Sequence, residues 1–358
     1  MADTIKALAA VGEKDEFVSN WEYEPRPLQP DDVDVRITAA GVCHSDLHQV
    51  KKEWKGVKQT RPMVPGHEIV GVVIRAGPNA RHKVGTRVAV GTIVGSCGKC
   101  DMCNQQDEVY CTKVVDTYQG THAATKTRCH GGFAERVIVD SKFAYQVPAD
   151  LPSTTAAPLM CAGVTVYAPL KRHFTPGATV GVVGIGGLGH FALQFARALG
   201  YARVVALSTS ADKAAAAKSF GAHDVLVTTD RAQMGPAGNS FDLLLVTVSA
   251  DLSWGAYLRL LKVGGTLCLV GLPPSDMKIN PFALLGRRVN LTGSSTGGTK
   301  ITAEMLQVAA QHKVRAAVEL LPLDAKGANE AFDRISKNLP RYRCVLIPKD
   351  APKEGGDL

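Results

Sequence analysis

The sequence predicts an α/β protein that combines a β-rich N-terminal region with a doubly wound parallel sheet. Up to about residue 150, short β-branched runs are interrupted by glycine and proline, which predicts an all-β region with many turns. From about residue 178, apolar strands alternate with helical stretches, a pattern typical of a parallel sheet. The length of 358 residues allows about two domains.

The elements of each part follow from these patterns. In the N-terminal region we predict strands at residues 33–37, 69–74, 87–90 and 136–139. In the second part we predict strands at residues 179–183, 203–207, 225–227, 242–247, 266–270 and 289–292, with a helix at 188–199 after the first of them. The tail adds helices near 302–312 and 324–338 and a strand at 344–347, which we expect to pack back onto the first domain.

Composition and charge exclude several classes of protein. The first residues, MADTIKALAA, carry no secretory pattern, and no apolar run approaches the ~18 residues of a membrane span. Nine cysteines, an odd number, fit poorly with a complete disulfide framework. We therefore expect a cytoplasmic protein with reduced thiols, and neither a membrane nor a nucleic acid as partner. The net charge of +8 is explained by a basic pocket for a phosphorylated cofactor.

Four cysteines follow one another at the spacing C-x2-C-x2-C-x7-C. Thiolates this close in sequence can converge on one tetrahedral zinc ion, in a closed site that serves structure rather than catalysis. The alternative is disulfide bonding, which a reducing compartment disfavours. The four residues are Cys97, Cys100, Cys103 and Cys111.

A glycine-rich turn follows the first strand of the second part. The run contains G-x-G-x-x-G at Gly184, Gly186 and Gly189, and it is followed by the predicted helix. In this context the glycines let backbone N–H groups approach a pyrophosphate at a helix N-terminus. The alternative is an ordinary glycine-rich turn. The predicted cofactor-binding residues here are Gly184, Gly186, Gly187, Leu188 and Gly189.

The end of the next strand distinguishes two nicotinamide cofactors. Proteins that bind NAD usually carry an acid there for the ribose 2′-hydroxyl. This chain instead has Ser208, Thr209, Ser210 and Lys213, which can hold a 2′-phosphate, so we predict NADP(H). The hydroxyls could alternatively cap the next helix, and we expect Asp212 to point away. Further cofactor contacts are predicted at Thr247, Val248, Val270, Gly271 and Ser294.

Three separate segments supply a second set of candidate metal ligands. Cys43, His67 and Cys161 offer two thiolates and an imidazole, and Glu68 stands beside His67. Three protein ligands leave one position open, as in catalytic zinc sites. The alternative for any single cysteine is a small buried apolar residue. We assign that role to Cys129, Cys268 and Cys344.

Taken together, these segments resemble the zinc-dependent medium-chain alcohol dehydrogenases, most closely their cinnamyl-alcohol-dehydrogenase-like group. The resemblance spans residues 30–347 and includes GVCHSDLHQV, PMVPGHEIVGVV, VGSCGKCDMC, PLMCAGVTVYAPL and GVVGIGGLGH. It implies a GroES-like zinc-binding catalytic domain, residues 1–155 with 292–358, and an NADP-binding Rossmann domain, residues 156–291. The active site is then expected in the cleft between them.

The resemblance also implies roles for single residues. Cys43, His67 and Cys161 would bind the catalytic zinc, with Glu68 a carboxylate that can approach the metal, while the four-cysteine run would bind a structural zinc, giving two zinc ions per chain. Asp46 would orient the ligand histidine. Ser45 would hydrogen-bond the substrate oxygen, and His48 would pass the proton on through the cofactor ribose. The alternatives are a local cap for Ser45 and a surface histidine for His48.

The function predicted is an NADP(H)-dependent zinc alcohol dehydrogenase that works mainly as an aldehyde reductase. Asp116 and Ser295 stand where lignin-pathway members carry aromatic residues, which predicts an open pocket and broad aromatic and aliphatic substrates. Trp54 forms one aromatic wall or packs against its own loop. The alternatives are an NAD-linked polyol or formaldehyde dehydrogenase of the same fold and a zinc-ribbon binding protein. The family tendency implies a homodimer, with residues 263–291 at the interface.

Overall fold

The computed structural model describes residues 3–12, 16–54 and 59–351. Contacts within the chain form two compact units, Ala162–Thr296 and a unit made of Met1–Cys161 with Gly297–Leu358. The domain bounds at residues 155/156 and 291/292 stay a prediction.

The described residues contain the following elements. The strands are β1 Ile5–Ala10, β2 Phe17–Tyr23, β3 Asp32–Val42, β4 Ile69–Ala76, β5 Arg87–Val90, β6 Ile93–Gly95, β7 Val115–Asp116, β8 Arg136–Asp140, β9 Ala144–Gln146, β10 Thr179–Val183, β11 Arg203–Ser208, β12 Asp224–Val227, β13 Phe241–Val246, β14 Leu261–Leu269, β15 Asn290–Gly293, β16 Val318–Pro322 and β17 Arg343–Ile347. The helices are α1 His44–Val50, α2 Asp101–Asn104, α3 Ser153–Pro158, α4 Val164–Arg172, α5 Gly189–Ala198, α6 Ala214–Ser219, α7 Arg231–Met234, α8 Trp254–Leu260, α9 Pro281–Leu285, α10 Thr299–Gln311 and α11 Ala325–Ser336.

The unit Ala162–Thr296 is built on a parallel sheet with the strand order β12-β11-β10-β13-β14-β15. The order reverses beside β10, so the carboxyl ends of β10 and β13 form a topological switch point, where ligands of such sheets bind. Apolar side chains of β11, β13 and β14 pack against α8 in the core of this unit. The predicted doubly wound Rossmann sheet is confirmed.

The other unit is built on a largely antiparallel sheet with the order β16-β17-β3-β4-β5-β9, in which β8 also pairs with β3. Its centre is β3, an 11-residue strand that is almost continuously buried. The tail returns to this sheet, because β17 pairs antiparallel with β3. The expectation that the tail packs onto the first domain is therefore confirmed, and so is the β-rich GroES-like fold.

The expectation of an all-β region up to about residue 150 is wrong in one respect, since the helices α1 and α2 lie within it. α1 forms because Asp46 closes a capping box at Cys43, and α2 is a single turn inside the four-cysteine run. Helices of four to seven residues are too short to show a 3.6-residue apolar period in sequence. Among the described residues, no helix is both long and apolar enough to cross a membrane.

Candidate active site and metal centres

The four-cysteine run folds into a compact lobe between β6 and β7. The Sγ atoms of Cys97, Cys100, Cys103 and Cys111 all lie within 4.8 Å of one another. None of these cysteines is disulfide-bonded, so the disulfide alternative is wrong. Backbone N–H groups of Lys99 and Cys100 lower the pKa of the Cys97 thiol to about 6. Four converging thiols, one of them readily ionised, form a donor set that fits tetrahedral zinc.

The lobe is anchored to the end of a distant helix. Glu108, fully buried just before Cys111, accepts hydrogen bonds from the Thr299 backbone N–H and hydroxyl at the start of α10, each at 2.9 Å. Lys142 Nζ lies 2.8 Å from the same carboxylate. The Glu108 carboxylate thus accepts hydrogen bonds at the N-terminus of α10, as a capping side chain does. We therefore expect the lobe and that helix to stabilise each other.

A second donor cluster is built from three elements of the same unit. One donor atom from each of Cys43, His67, Glu68 and Cys161 lies within 4.8 Å of the others. Cys43 is the N-cap of α1, His67 and Glu68 directly precede β4, and Cys161 lies in a π-helical turn, Leu159–Gly163. Such turns are frequent at functional sites. The Sγ atoms of Cys43 and Cys161 are 3.9 Å apart.

Asp46 organises this cluster through several hydrogen bonds. Its Oδ2 accepts from the Cys43 backbone N–H at 3.0 Å, and its Oδ1 accepts at 3.0 Å from the Gly66 backbone N–H and from His67 Nδ1. Because Nδ1 of His67 donates its hydrogen to Asp46, the lone pair of Nε2 is the one that can bind a metal ion. The Tyr118 hydroxyl is buried nearby, and its ring centroid lies 5.8 Å from that of His67.

The charges of the cluster are balanced by Arg343. Its guanidinium donates to Glu68 Oε1, and both side chains are buried. Burial raises the pKa of Glu68 to about 7, against the opposing effect of Arg343. Glu68 Oε2 is buried without a hydrogen-bond partner among the described residues. An orphaned carboxylate oxygen beside two thiols and an imidazole fits a bound zinc ion.

Space for Glu68 depends on a glycine. A Cβ built on Gly41 would stand 2.1 Å from Glu68 Oε2, so any larger residue there would displace the carboxylate. The sequence patterns do not single out Gly41, Arg343 or Tyr118 as residues of this cluster. The one signal for Arg343 in the sequence is a charged residue that opens the apolar strand β17.

The residues proposed for the proton path lie on α1. Ser45 follows the N-cap Cys43 and is itself not the cap, so the local-cap alternative is wrong. His48 is partly exposed and contacts Glu53 through Nδ1. The Trp54 ring stacks on His48 at a centroid distance of 5.9 Å. Trp54 therefore packs against α1, and its role as an aromatic wall of the substrate pocket stays a prediction.

The predicted cofactor residues lie along one edge of the parallel sheet. They lie at the carboxyl ends of β10, β11, β13, β14 and β15 or in the turns that follow these strands, up to Gly189 and Lys213. Gly184 has φ +92°, and a Cβ on Gly189 would stand 1.9 Å from the Gly184 carbonyl oxygen. A Cβ on Gly186 would meet nothing within 4 Å, which leaves space for a ligand. This open cradle at the start of α5 fits a pyrophosphate.

The hydroxyl cluster at the end of β11 differs from expectation in two ways. α6 is capped at Lys213 without a side-chain hydrogen bond, so Ser208, Thr209 and Ser210 are not its caps. Asp212 does not point away, because the Ser210 hydroxyl donates to its carboxylate at 3.2 Å in a short local turn. Lys213 Nζ donates to the Ile185 carbonyl oxygen at 3.1 Å and so reaches the glycine turn.

Comparisons with known proteins place the chain in a family. Residues 29–149 match the alcohol dehydrogenase GroES-like domain, and residues 187–311 match the zinc-binding dehydrogenase domain. NADP-dependent alcohol dehydrogenase C 1 of Mycolicibacterium smegmatis is 44% identical, covering 96% of this chain and 97% of the relative.

Two solved structures agree over nearly the whole fold. A cinnamyl alcohol dehydrogenase from Sorghum bicolor is 36% identical with a TM-score of 0.90, covering 99% of this chain and 100% of that one. A cinnamyl alcohol dehydrogenase from Helicobacter pylori, complexed with NADP(H), is 31% identical with a TM-score of 0.88, covering 98% of this chain and 100% of that one. This chain belongs to the zinc-dependent medium-chain alcohol dehydrogenases, in their cinnamyl-alcohol-dehydrogenase-like group.

Proposed function

We propose that this alcohol dehydrogenase is an NADP(H)-dependent aldehyde reductase that accepts both aromatic and aliphatic aldehydes. The observation that carries the cofactor choice is the end of β11, where three hydroxyl residues and Lys213 replace the acid expected for NAD. The Mycolicibacterium relative is NADP-dependent by name, and the Helicobacter structure holds NADP(H), which supports the same choice.

The catalytic zinc would be held by Cys43, His67 and Cys161, with Glu68 close enough to approach it. Four thiolates of the lobe would hold a second, structural zinc, so that each chain carries two ions. When bound, the catalytic zinc supplies Lewis acidity toward the substrate oxygen, and the nicotinamide donates or accepts hydride. Asp46 keeps the His67 ring oriented by accepting from Nδ1.

The protein's own residues move the proton. Ser45, two positions after Cys43, would donate a hydrogen bond to the substrate oxygen in reduction. His48, one turn beyond His44 on α1, would exchange that proton with water through its exposed side. Asp116 and Ser295 remain our prediction for an open and polar substrate pocket.

A direct test measures initial rates with cinnamaldehyde, benzaldehyde and a short aliphatic aldehyde, with NADPH and NADH in parallel. We expect NADPH to be strongly preferred and several aldehydes to react. Lys213→Ala should raise the KM for NADPH about tenfold and leave the KM for NADH nearly unchanged, because one charge-assisted contact to the phosphate is lost. The exposed Lys218→Ala, on the adjacent α6, is the matched control.

A second candidate, an NAD-linked polyol or formaldehyde dehydrogenase, is favoured by one observation. The carboxylate of Asp212 is held by Ser210 at the end of β11, where it could meet a ribose hydroxyl. A preference for NADH that Asp212→Ala abolishes would support this candidate and contradict the first. The zinc-ribbon binding protein is not retained, because the family match covers the whole fold.

We also propose a homodimer formed through the edge of the parallel sheet, in a cytoplasmic protein. β15 is the last strand of that sheet. In the segment before it, Phe282 and Leu285 of α9 are 80% and 76% exposed, which is unusual for large apolar side chains of a monomer. Light scattering after size exclusion should report twice the 38.0 kDa chain mass, and a monomer would contradict the proposal.

A further inference from the structure

A cavity of about 460 Å³ lies beside the four-cysteine lobe. Its wall is formed by the loop between β4 and β5, the turn between β8 and β9, the strand β9 and the first part of α10. Gln106, just after α2 of the lobe, completes the lining. All of these residues belong to one compact unit. Among the described residues, the cavity shares none with either donor cluster, so it is a feature apart from the candidate active site.

The charged side chains that line this cavity are all positive. Arg81, Lys142 and Lys300 line it, and among the described residues no aspartate or glutamate does. The Glu108 carboxylate lies 2.8 Å from Lys142 Nζ, but it is fully buried and is not part of the lining. Three cations at a concave surface raise the local positive potential, because part of the screening water is excluded there. The cavity should therefore attract anions.

Two of the three cations are available to a ligand. The Arg81 and Lys300 residues are exposed, and within the described part of the chain neither side chain has a hydrogen bond or an ion pair. The backbone N–H of Arg81 donates to the buried Ser141 hydroxyl at 3.0 Å, which fixes the loop against the turn that follows β8. Lys142 already pairs with Glu108. A ligand would thus meet two free cations and one that it shares with a protein carboxylate.

The cavity also offers an uncharged hydrogen-bond donor. Tyr145 of β9 is 8% exposed and forms part of the wall. Burial and the Glu108 carboxylate raise the pKa of Tyr145. Thr302 and Arg81 lower it by less, so the hydroxyl keeps its hydrogen. The 13-residue helix α10 begins at the same wall, and the positive end of a helix adds to the attraction for an anion.

We propose that this cavity binds a phosphate group, carried by a small metabolite or present as the free ion. At neutral pH a phosphate monoester carries about −1.5 to −2 charges and three acceptor oxygens, which suits two free cations better than the single charge of a carboxylate does. Arg81 can hold two phosphate oxygens at once, and Lys300 acts as a point charge. Sites for small ligands measure about 300–1,000 Å³, so the cavity also has room for an organic part.

Such a ligand would tie together elements that Glu108 already connects. Lys300 belongs to the first turn of α10 and Arg81 to the loop between β4 and β5, while Lys142 pairs with Glu108 of the lobe. A ligand that binds only the folded state raises the free energy of unfolding. The ligand should therefore stabilise this unit and leave turnover unchanged, because the cavity includes no residue of the proposed proton path. This inference does not depend on the proposed function.

Isothermal titration calorimetry tests the binding directly. Glycerol 3-phosphate, inorganic phosphate and glycerol are titrated separately, at constant ionic strength, into protein saturated with NADPH. The bound cofactor keeps the probes out of the phosphate sites proposed along the edge of the parallel sheet. We expect one equivalent of each phosphate probe to bind and glycerol not to bind. Tighter binding of glycerol 3-phosphate would identify a phosphate monoester as the source of the group, and equal binding would identify the free ion. Either result supports the site.

Two variants that remove a charge assign the binding to this cavity. Lys300→Gln and Arg81→Gln should each raise the Kd about tenfold, since each removes one charge-assisted contact to the phosphate. Turnover should stay at the wild-type level in both variants. Lys326→Gln changes an exposed lysine of α11 that lies outside the cavity, so it is the matched control and should bind as wild type does. Circular dichroism checks the fold of every variant.

The proposal is overturned when wild type binds neither phosphate probe at millimolar concentration, or when Lys300→Gln and Arg81→Gln bind both probes as tightly as wild type. It is also overturned when Lys326→Gln weakens binding as much as these two variants do, because the effect is then one of net charge. Calorimetry needs no turnover, so a failure of the proposed aldehyde reductase activity would leave this result unaffected.

Discussion

The two candidate metal-ligand clusters lie in one compact unit and are built in opposite ways. The four-cysteine lobe draws its donors from a single stretch of 15 residues between Cys97 and Cys111, and two of the four are partly exposed. The other cluster draws Cys43, His67 and Cys161 from three distant segments and adds buried charges. Local spacing is therefore enough to bring the four thiols of the lobe together, whereas the donors of the second cluster meet only through the fold.

The largest loss of activity should follow when one thiolate of the cluster formed by Cys43, His67, Glu68 and Cys161 is removed. Cys161→Ala should lower kcat by about 10⁴-fold, since a Lewis-acid metal supplies roughly 5 kcal/mol of transition-state stabilisation. Circular dichroism should show an intact fold. Initial rates with NADPH and cinnamaldehyde measure the effect, and Cys129→Ala, outside both clusters, is the control. Activity within tenfold of wild type would remove Cys161 from the catalytic site.

The stability of the fold should also depend on the ion pair between Arg343 and Glu68 in this cluster. Arg343→Met leaves the Glu68 carboxylate buried without its partner and should lower the free energy of unfolding by about 3–5 kcal/mol. Urea denaturation measures this loss. The double variant Glu68→Gln/Arg343→Met should be more stable than the single variant, because no uncompensated charge remains. Equal stability of both variants would mean that the ion pair does not balance the site.

Removing a thiol from the four-cysteine lobe should lower the free energy of unfolding and leave turnover nearly unchanged. Cys103→Ala removes one of four converging thiols and should cost roughly 3 kcal/mol of unfolding free energy through loss of metal. Zinc content and thermal unfolding report the loss, while turnover per folded molecule should stay near wild type. Asn104→Ala, the exposed neighbour in α2, is the control. A turnover loss as large as that of Cys161→Ala would erase the distinction between the two clusters.

The smallest effect concerns the attachment of the lobe to α10. Glu108→Gln keeps an acceptor for Thr299 but loses the charge that pairs with Lys142, at a cost of about 1 kcal/mol near neutral pH. Burial opposes ionisation of Glu108, yet Lys142 and Thr299 bring its pKa below the ordinary 4.5. The stability advantage of wild type over Glu108→Gln is therefore full above pH 4.5 and is lost as the pH falls through the lower, folded pKa. Urea denaturation at several pH values measures it, and a pH-independent difference would contradict this account.

Sequence reasoning was most successful where the signal is local. The strand β10, the glycine turn and the helix α5 follow from a few adjacent residues, and the four cysteines follow from their spacing alone. It failed at Asp212, which turns back to Ser210, because the conformation of a short turn depends on hydrogen bonds that spacing does not reveal. It also gave no indication of Glu53, whose place beside His48 follows from the left-handed conformation of Lys52, a residue type not expected there.

The sequence by itself determined the fold class and the family resemblance, since these depend on periodicity and on motifs of adjacent residues, and it supplied the candidate metal donors. Only the tertiary structure decided how the donors meet. The pairing of β17 with β3 brings Arg343 into the same buried site as Glu68, 275 residues away in the chain. A buried charge needs a partner, and that partner can come from any part of the chain that the sheet brings near.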